Sequence, residues 1–241
     1  MWRHERVRRD AGIAGYAATV AWRMAWPGVT VQPDDRMAMT SHPANGPRLH
    51  FVRHGETEWS LTGRHTGKSD LPLTARGEDE ARELAPWLRN IAFARVLCSP
   101  RQRARRTCEL TGQHDAAEIE PDLAEWDYGD YEGLRSGEIE VRRPGWSIYR
   151  DGCPGGETPE AIGVRADRLL ARLRGLDGNI ALFSHGHFGR VLAARWIGAP
   201  LDFGLHLALG TASLGILATE PSRPGVPVIA LWNAAPRALA G

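Results

Sequence analysis

From Arg48 onward, short apolar runs alternate with longer runs of helical spacing, and three of the apolar runs stop at a polar cluster. Leu49–Arg53 stops at His54-Gly55, Ala94–Cys98 at Ser99-Pro100-Arg101, and Asn179–Phe183 at Ser184-His185-Gly186. Runs this short and this apolar read as buried strands. Helical patterns fill the intervals. Ala75–Asn90 carries Leu84 and Leu88 on one face, with Thr74 as its cap. Ser99-Pro100 starts a helix through Thr111, since Pro suits the first helical position after a Ser cap. Thr158–Leu173 and His187–Ile197 read as two more helices, and Ala212–Thr219 and Val226–Trp232 as the last two strands. Strands alternating with helices predict an α/β fold, three layers α/β/α around a mostly parallel central sheet. Parallel sheets bind ligands at the carboxyl ends of their strands. The three polar clusters are therefore expected at one sheet edge, although His54 and His185 lie more than 130 residues apart.

Residues 1–47 break this pattern. Arg3, Arg6, Arg8 and Arg9 precede an Ala/Gly-rich run, Ala11–Trp22, that loosely mimics a signal peptide. Arg23 ends the run, no small-x-small cleavage site follows, and it is too short to span a bilayer. Residues 27–47 read as linker. The expectation is an N-terminal extension without fixed structure, or a start assigned upstream of Met37 or Met39, with residues 48–236 as the folded domain. A targeting segment and a docked helix are the competing readings.

Composition narrows the function. Net charge is +1, which points to neither nucleic-acid binding nor an acidic tail. Cys98, Cys108 and Cys153 are odd in number and form no CxxC pair, which argues against a disulfide framework or a zinc site and fits a reducing cytoplasm. No run suits a membrane helix. Neither HExxH nor a paired-Asp metal cluster occurs, so neither metal nor cofactor is expected. A homodimer is left open.

The clusters supply what phosphoryl transfer to a side chain requires: a nucleophile, cations around the equatorial oxygens, and an acid for the leaving oxygen. His54 attacks through one ring nitrogen if the other is held as a donor. Gly55 allows close backbone approach. Arg53, and an arginine from the run Arg101, Arg103, Arg105 and Arg106, grip the phosphoryl oxygens, and a protonated His185 adds a charged donor. A carboxylic acid from the Glu125 segment protonates the leaving alkoxide. Each piece alone has a plainer reading, as a core histidine or a solvated basic face; the combination carries the case. His65 and His187 stay open between pocket lining and surface.

The ordered set resembles the histidine phosphatase superfamily, which includes the cofactor-dependent phosphoglycerate mutases. The resemblance runs through Arg53-His54-Gly55-Glu56-Thr57, Gly63-Arg64-His65-Thr66-Gly67, Asp70-Leu71-Pro72-Leu73-Thr74, Ser99-Pro100-Arg101-Gln102-Arg103 with Thr107, Glu125-Trp126-Asp127-Tyr128-Gly129 with Glu132-Gly133, and Ser184-His185-Gly186. It implies a phosphoglycerate mutase-like fold and a phosphohistidine formed on His54. It implies a phosphate pocket of Arg53, Arg103 and His185, with Glu125 as proton donor and later base. On the substrate side it implies Ser60, Arg64, Thr66, Gly67, Tyr128 and Gly186. Ser60 stands where many members have Asn, a shorter reach to phosphate.

Phosphatase and mutase share this pocket and differ in what reaches the phosphohistidine. Only 60 residues separate Glu125 from His185, and Arg142 and Arg143 are the sole candidates for the basic residues of a mutase lid. A short lid favours water. The segments Glu125–Gly133 and Trp146–Cys153 resemble the branch of sedoheptulose-1,7-bisphosphatase and broad-specificity acid phosphatases. The expectation is a metal-independent phosphatase acting on small phosphomonoesters, sugar phosphates or bisphosphates, with a mutase-type phosphoryl transferase as first alternative and a phosphate-binding scaffold as second.

Overall fold

The structure, a computed structural model, describes residues 46–236. The expectations about residues 1–45 lie outside the described residues. Six strands form one sheet: β1 Arg48–Arg53, β2 Phe93–Cys98, β3 Ala117–Ile119, β4 Asn179–Ser184, β5 Leu214–Thr219 and β6 Pro227–Ala234. Their order is β3-β2-β4-β1-β5-β6. The pairs β3/β2, β2/β4 and β4/β1 are parallel; β1/β5 and β5/β6 are antiparallel. The α-helices among the described residues are α1 Glu58–Leu61, α2 Ala75–Leu88, α3 Gln102–Leu110, α4 Ser136–Arg142, α5 Ile148–Asp151, α6 Pro159–Arg174 and α7 Gly186–Trp196.

Period-two alternation on the strands builds two separate cores. Leu49, Phe51, Leu97, Ile180 and Leu182 pack with Ile162, Leu169 and Leu170 of α6 and Phe188, Val191 and Leu192 of α7. Their strand neighbours Val52, Val96, Cys98, Ala181 and Phe183 pack on the opposite face with Leu84 and Leu88 of α2 and Ala104 and Cys108 of α3. Helices therefore cover both faces, as the pattern of β1, β2 and β4 predicts. Each fully buried Leu or Ile contributes about 1.5–3 kcal/mol relative to exposure.

Capping fixes where the helices begin. Thr74 accepts from the Gly77 amide at 3.0 Å, and Thr158 from the Ala161 amide at 3.1 Å ahead of Pro159. The expected start at Pro100 is corrected: α3 begins at Gln102 with Arg101 at its cap position. Ser99 is drawn instead to a histidine, described below. The strand expected from Ala212 begins at Leu214, because Ala212 takes φ +43° and breaks the extended run. The three-residue β3 was not expected; so short a run gives no period to read.

Candidate active site

The carboxyl ends of β1, β2 and β4 lie at one edge in matched register: Arg53 pairs with Ser184, and Cys98 with Phe183. The next residues continue the lattice, the His54 amide donating to the Ser184 carbonyl at 3.1 Å and the Ser99 amide to the Phe183 carbonyl at 2.9 Å. His54, Ser99 and His185 are thus placed by the sheet itself.

His54 is buried, with 5% exposure. Its Nδ1 donates to the Gly55 carbonyl oxygen at 2.7 Å. A carbonyl only accepts, so the ring proton sits on Nδ1 and the Nε2 lone pair is free. The Gly55 amide donates to Thr107 Oγ1 at 3.0 Å, and that hydroxyl donates to the Arg103 carbonyl at 2.8 Å. A Cβ on Gly55 would stand 2.2 Å from the Gly77 carbonyl oxygen, so a residue without a side chain is required where this turn meets α2. Burial, then the charges of Arg103 and Arg53, hold the His54 pKa well below 6.5. The neutral, nucleophilic form is therefore the resident form near neutral pH. A ligand-free NMR titration is expected to place the His54 midpoint well below 6.5. Arg103→Gln, which removes a positive charge, is expected to move it upward; a downward move or none contradicts the electrostatic account.

Arg103 has no exposed surface. Its Nε donates to His185 Nδ1 at 3.2 Å, its Nη1 to the Ser69 carbonyl at 2.9 Å, and its Nη2 to the carbonyls of Thr66 at 2.9 Å and Gly67 at 3.3 Å. Among the described residues, four of five guanidinium protons have partners and one Nη1 proton remains. Guanidinium cannot accept, so His185 Nδ1 is bare and its proton is on Nε2, which donates to Ser99 Oγ at 2.7 Å. His185 is thus neutral here; burial first and Arg103 second push its pKa well below 6.5. The His54 and His185 rings meet edge to face, centroids 5.2 Å apart. Arg53 donates through Nη1 to the Leu209 carbonyl, and its Nε is buried without a partner among the described residues. A buried orphan donor beside His54 suits an anionic ligand. A Cβ on Gly186 would come within 3.3 Å of Arg53 Cζ, so glycine there clears the guanidinium.

Glu125 sits on the start of α7. Its Oε1 accepts from the amides of Trp126 at 2.9 Å and Phe188 at 2.8 Å; among the described residues its Oε2 accepts only from the His187 amide at 3.0 Å. Arg165 of α6 braces this segment through the carbonyls of Asp122 at 2.8 Å and Ala124 at 2.7 Å, while an ion pair to Glu157 at 2.7 Å holds Arg165. Ser184 Oγ donates to the Leu123 carbonyl at 2.7 Å. Beyond Glu125, the buried Tyr128 hydroxyl lies 2.7 Å from His187 Nδ1, and the Tyr128 ring stacks on His65 with centroids 4.7 Å apart.

The structure brings Arg53, His54, Arg103, Glu125 and His185 together. The substrate-side set is scattered in role. Gly67 and Thr66 hold Arg103 through their carbonyls, and a Cβ on Gly67 would meet the Trp126 carbonyl at 2.4 Å. Arg64 is exposed and donates to the Gly133 carbonyl at 2.9 Å. Ser60 donates to the Thr57 carbonyl and accepts from the Thr57 amide within its own helix cap. Sequence reasoning missed Ser99 as the His185 partner, Arg165 as the brace under the acid, and the Leu209 carbonyl. The first two are ordinary helix-cap and helix-face residues in sequence, and a backbone carbonyl leaves no sequence signal. Among the described residues no three His, Cys, Asp or Glu side chains group as a metal site, and no helix is long and apolar enough to cross a membrane.

The arrangement can take a tetrahedral dianion between two guanidiniums and expose it to a neutral imidazole, with a carboxyl group beside it. The sequence model of the histidine phosphatase superfamily (branch 1) matches residues 49–234. An acid phosphatase of Mycobacterium tuberculosis is 41% identical over 177 residues, covering 72% of this chain and 87% of its own. Sedoheptulose 1,7-bisphosphatase of Saccharomyces cerevisiae is 40% identical over 189 residues, covering 65% and 69%. The solved structure of a Mycobacterium tuberculosis open reading frame product superposes with TM-score 0.73 at 37% identity, covering 78% of this chain and 98% of the other.

Proposed function

Since the chain belongs to the histidine phosphatase superfamily and is a phosphoric monoester hydrolase, we propose that it works through a phosphohistidine on His54, without metal, on small sugar phosphates or bisphosphates. The observation that carries this is the His54 Nδ1–H bond to the Gly55 carbonyl at 2.7 Å, which frees Nε2 within the field of Arg53 and Arg103.

His54 Nε2 attacks phosphorus as the ester P–O bond breaks. The alcohol leaves with a proton from Glu125, whose Oε2 takes the fewer backbone bonds. Water then gives its proton back to Glu125, its oxygen joins phosphorus, and the P–N bond breaks to release inorganic phosphate and restore His54. Arg53 Nε and the free Arg103 proton hold the equatorial oxygens, and His185 positions the Arg103 guanidinium by accepting from its Nε. Arginines supply the positive charge that a metal supplies elsewhere. The sugar class is supported by the likeness to a sedoheptulose 1,7-bisphosphatase. A cytoplasmic location fits three buried free cysteines.

The test is hydrolysis of p-nitrophenyl phosphate with excess chelator, followed by a panel of sugar phosphates scored by phosphate release. Full turnover under chelation is expected; turnover abolished by chelation refutes the metal-free reading. Rapid isomerisation of 3-phosphoglycerate with 2,3-bisphosphoglycerate, without phosphate release, assigns the chain to the mutases instead.

A further inference from the structure

We propose that His187 recognises a hydroxyl on the alcohol half of the substrate, presenting an Nε2–H donor whose position on the ring is set by Tyr128. The proposal rests on the phosphatase reading above and adds a specificity-determining residue to it.

Tyr128 is buried, and its hydroxyl has one recorded partner among the described residues, His187 Nδ1 at 2.7 Å. Burial raises the Tyr128 pKa well above 10, so the phenol keeps its proton. A buried hydroxyl proton needs an acceptor. Nδ1 must then be that acceptor, and a neutral His187 carries its own proton on Nε2. Burial, with His65 and Arg190 nearby, pushes the His187 pKa well below 6.5, which keeps the ring neutral. His187 is half-buried as a residue, with its Nδ1 edge tied inward to Tyr128. The accessible edge is therefore Nε2, and no protein partner for it is recorded among the described residues.

Its location fits the leaving group. The His187 amide donates to Glu125 Oε2 at 3.0 Å, so the same residue seats the acid that handles the leaving oxygen. The ring faces of His65 and Tyr149, both buried residues, flank His187 at tilted angles with centroids 5.6 and 5.8 Å away. A neutral N–H donor between such faces suits a neutral oxygen acceptor, the chemistry of a sugar hydroxyl. Tyr128, by this account, is a positioning residue that acts through His187.

The experiment compares kcat/KM for glycerol 3-phosphate with that for n-propyl phosphate in the full chain, so that each protein is its own control. The expected result is a wild-type preference for the hydroxylated ester of roughly tenfold or more, lost in His187→Phe, reduced in Tyr128→Phe and partly kept in His187→Gln, whose amide still donates. A wild-type ratio near one overturns the proposal without any variant. So does a ratio in His187→Phe equal to that of the wild type, whatever the absolute rates. A wild type that hydrolyses neither ester nor p-nitrophenyl phosphate overturns the phosphatase reading itself, which is a different outcome from an active enzyme with no preference.

Discussion

His54→Ala is expected to lose at least on the order of a thousandfold in kcat/KM, about 4 kcal/mol of transition-state stabilisation. The loss is large because the variant removes the atom that forms the intermediate, not a contributor to its binding. Arg53, Arg103 and Glu125 remain, so phosphate esters still dock, and water in the space that His54 vacates, in line with the leaving oxygen that Glu125 protonates, supplies the residual rate. The same variant separates chemistry from folding. His54 makes its polar bonds through Nδ1 and its backbone, and the backbone bonds to Ser184 and Ala212 survive in alanine. Acid quenching of wild type with radiolabelled substrate should trap an acid-labile phosphoprotein, and the variant none. A variant within tenfold of wild type, or an equal label in both, ends the phosphohistidine reading.

The second large effect is on stability. Burial first holds His50 and His65 down to about 4 and His54, His185 and His187 well below 6.5. A depressed histidine binds its proton in the unfolded chain before the folded one. Its stabilisation is therefore complete above pH 6.5 and is lost as pH falls through the folded pKa. Each such group costs about 1.4 kcal/mol per pH unit in that window, so His50 and His65 alone remove on the order of 3 kcal/mol each between pH 6.5 and 4. Against a domain stability of about 5–15 kcal/mol, the fold is expected to fail before pH 4. Urea midpoints measured from pH 7 down to 4.5 should fall steadily. A flat profile to pH 5, followed by loss only in the carboxylate range, contradicts the histidine account.

The five central residues were legible because each follows a strand or belongs to a short ordered motif, and a parallel sheet leaves one place for its strand ends to meet. The basic run alone does not separate Arg103 from Arg106; the family resemblance singles out Arg103, and the structure gives the physical difference. Both lie in one basic run, yet Arg103 is buried on carbonyls while Arg106 pairs with Glu78 and Glu109 at the surface. The charge state of His185 was not legible, because it depends on which donor faces it. Nor was the use of Ser99, which reads as a helix cap and serves as a histidine acceptor. What sequence shows poorly is contact made through backbone: Thr66, Ser69 and Leu209 each hold an arginine by a carbonyl that any residue carries.

The contact of Gly55 with Gly77 joins two stretches of main chain with no side chain between them. Selection and protein engineering act on side chains, so that joint offers them no lever: any substitution there adds atoms where none fit. The phosphoryl end of the site is in that sense closed to tuning. A library aimed at new substrates belongs instead where side chains meet side chains, as the rings of His65, Trp146, Tyr149 and His187 do, and where one can be exchanged for another of different outline.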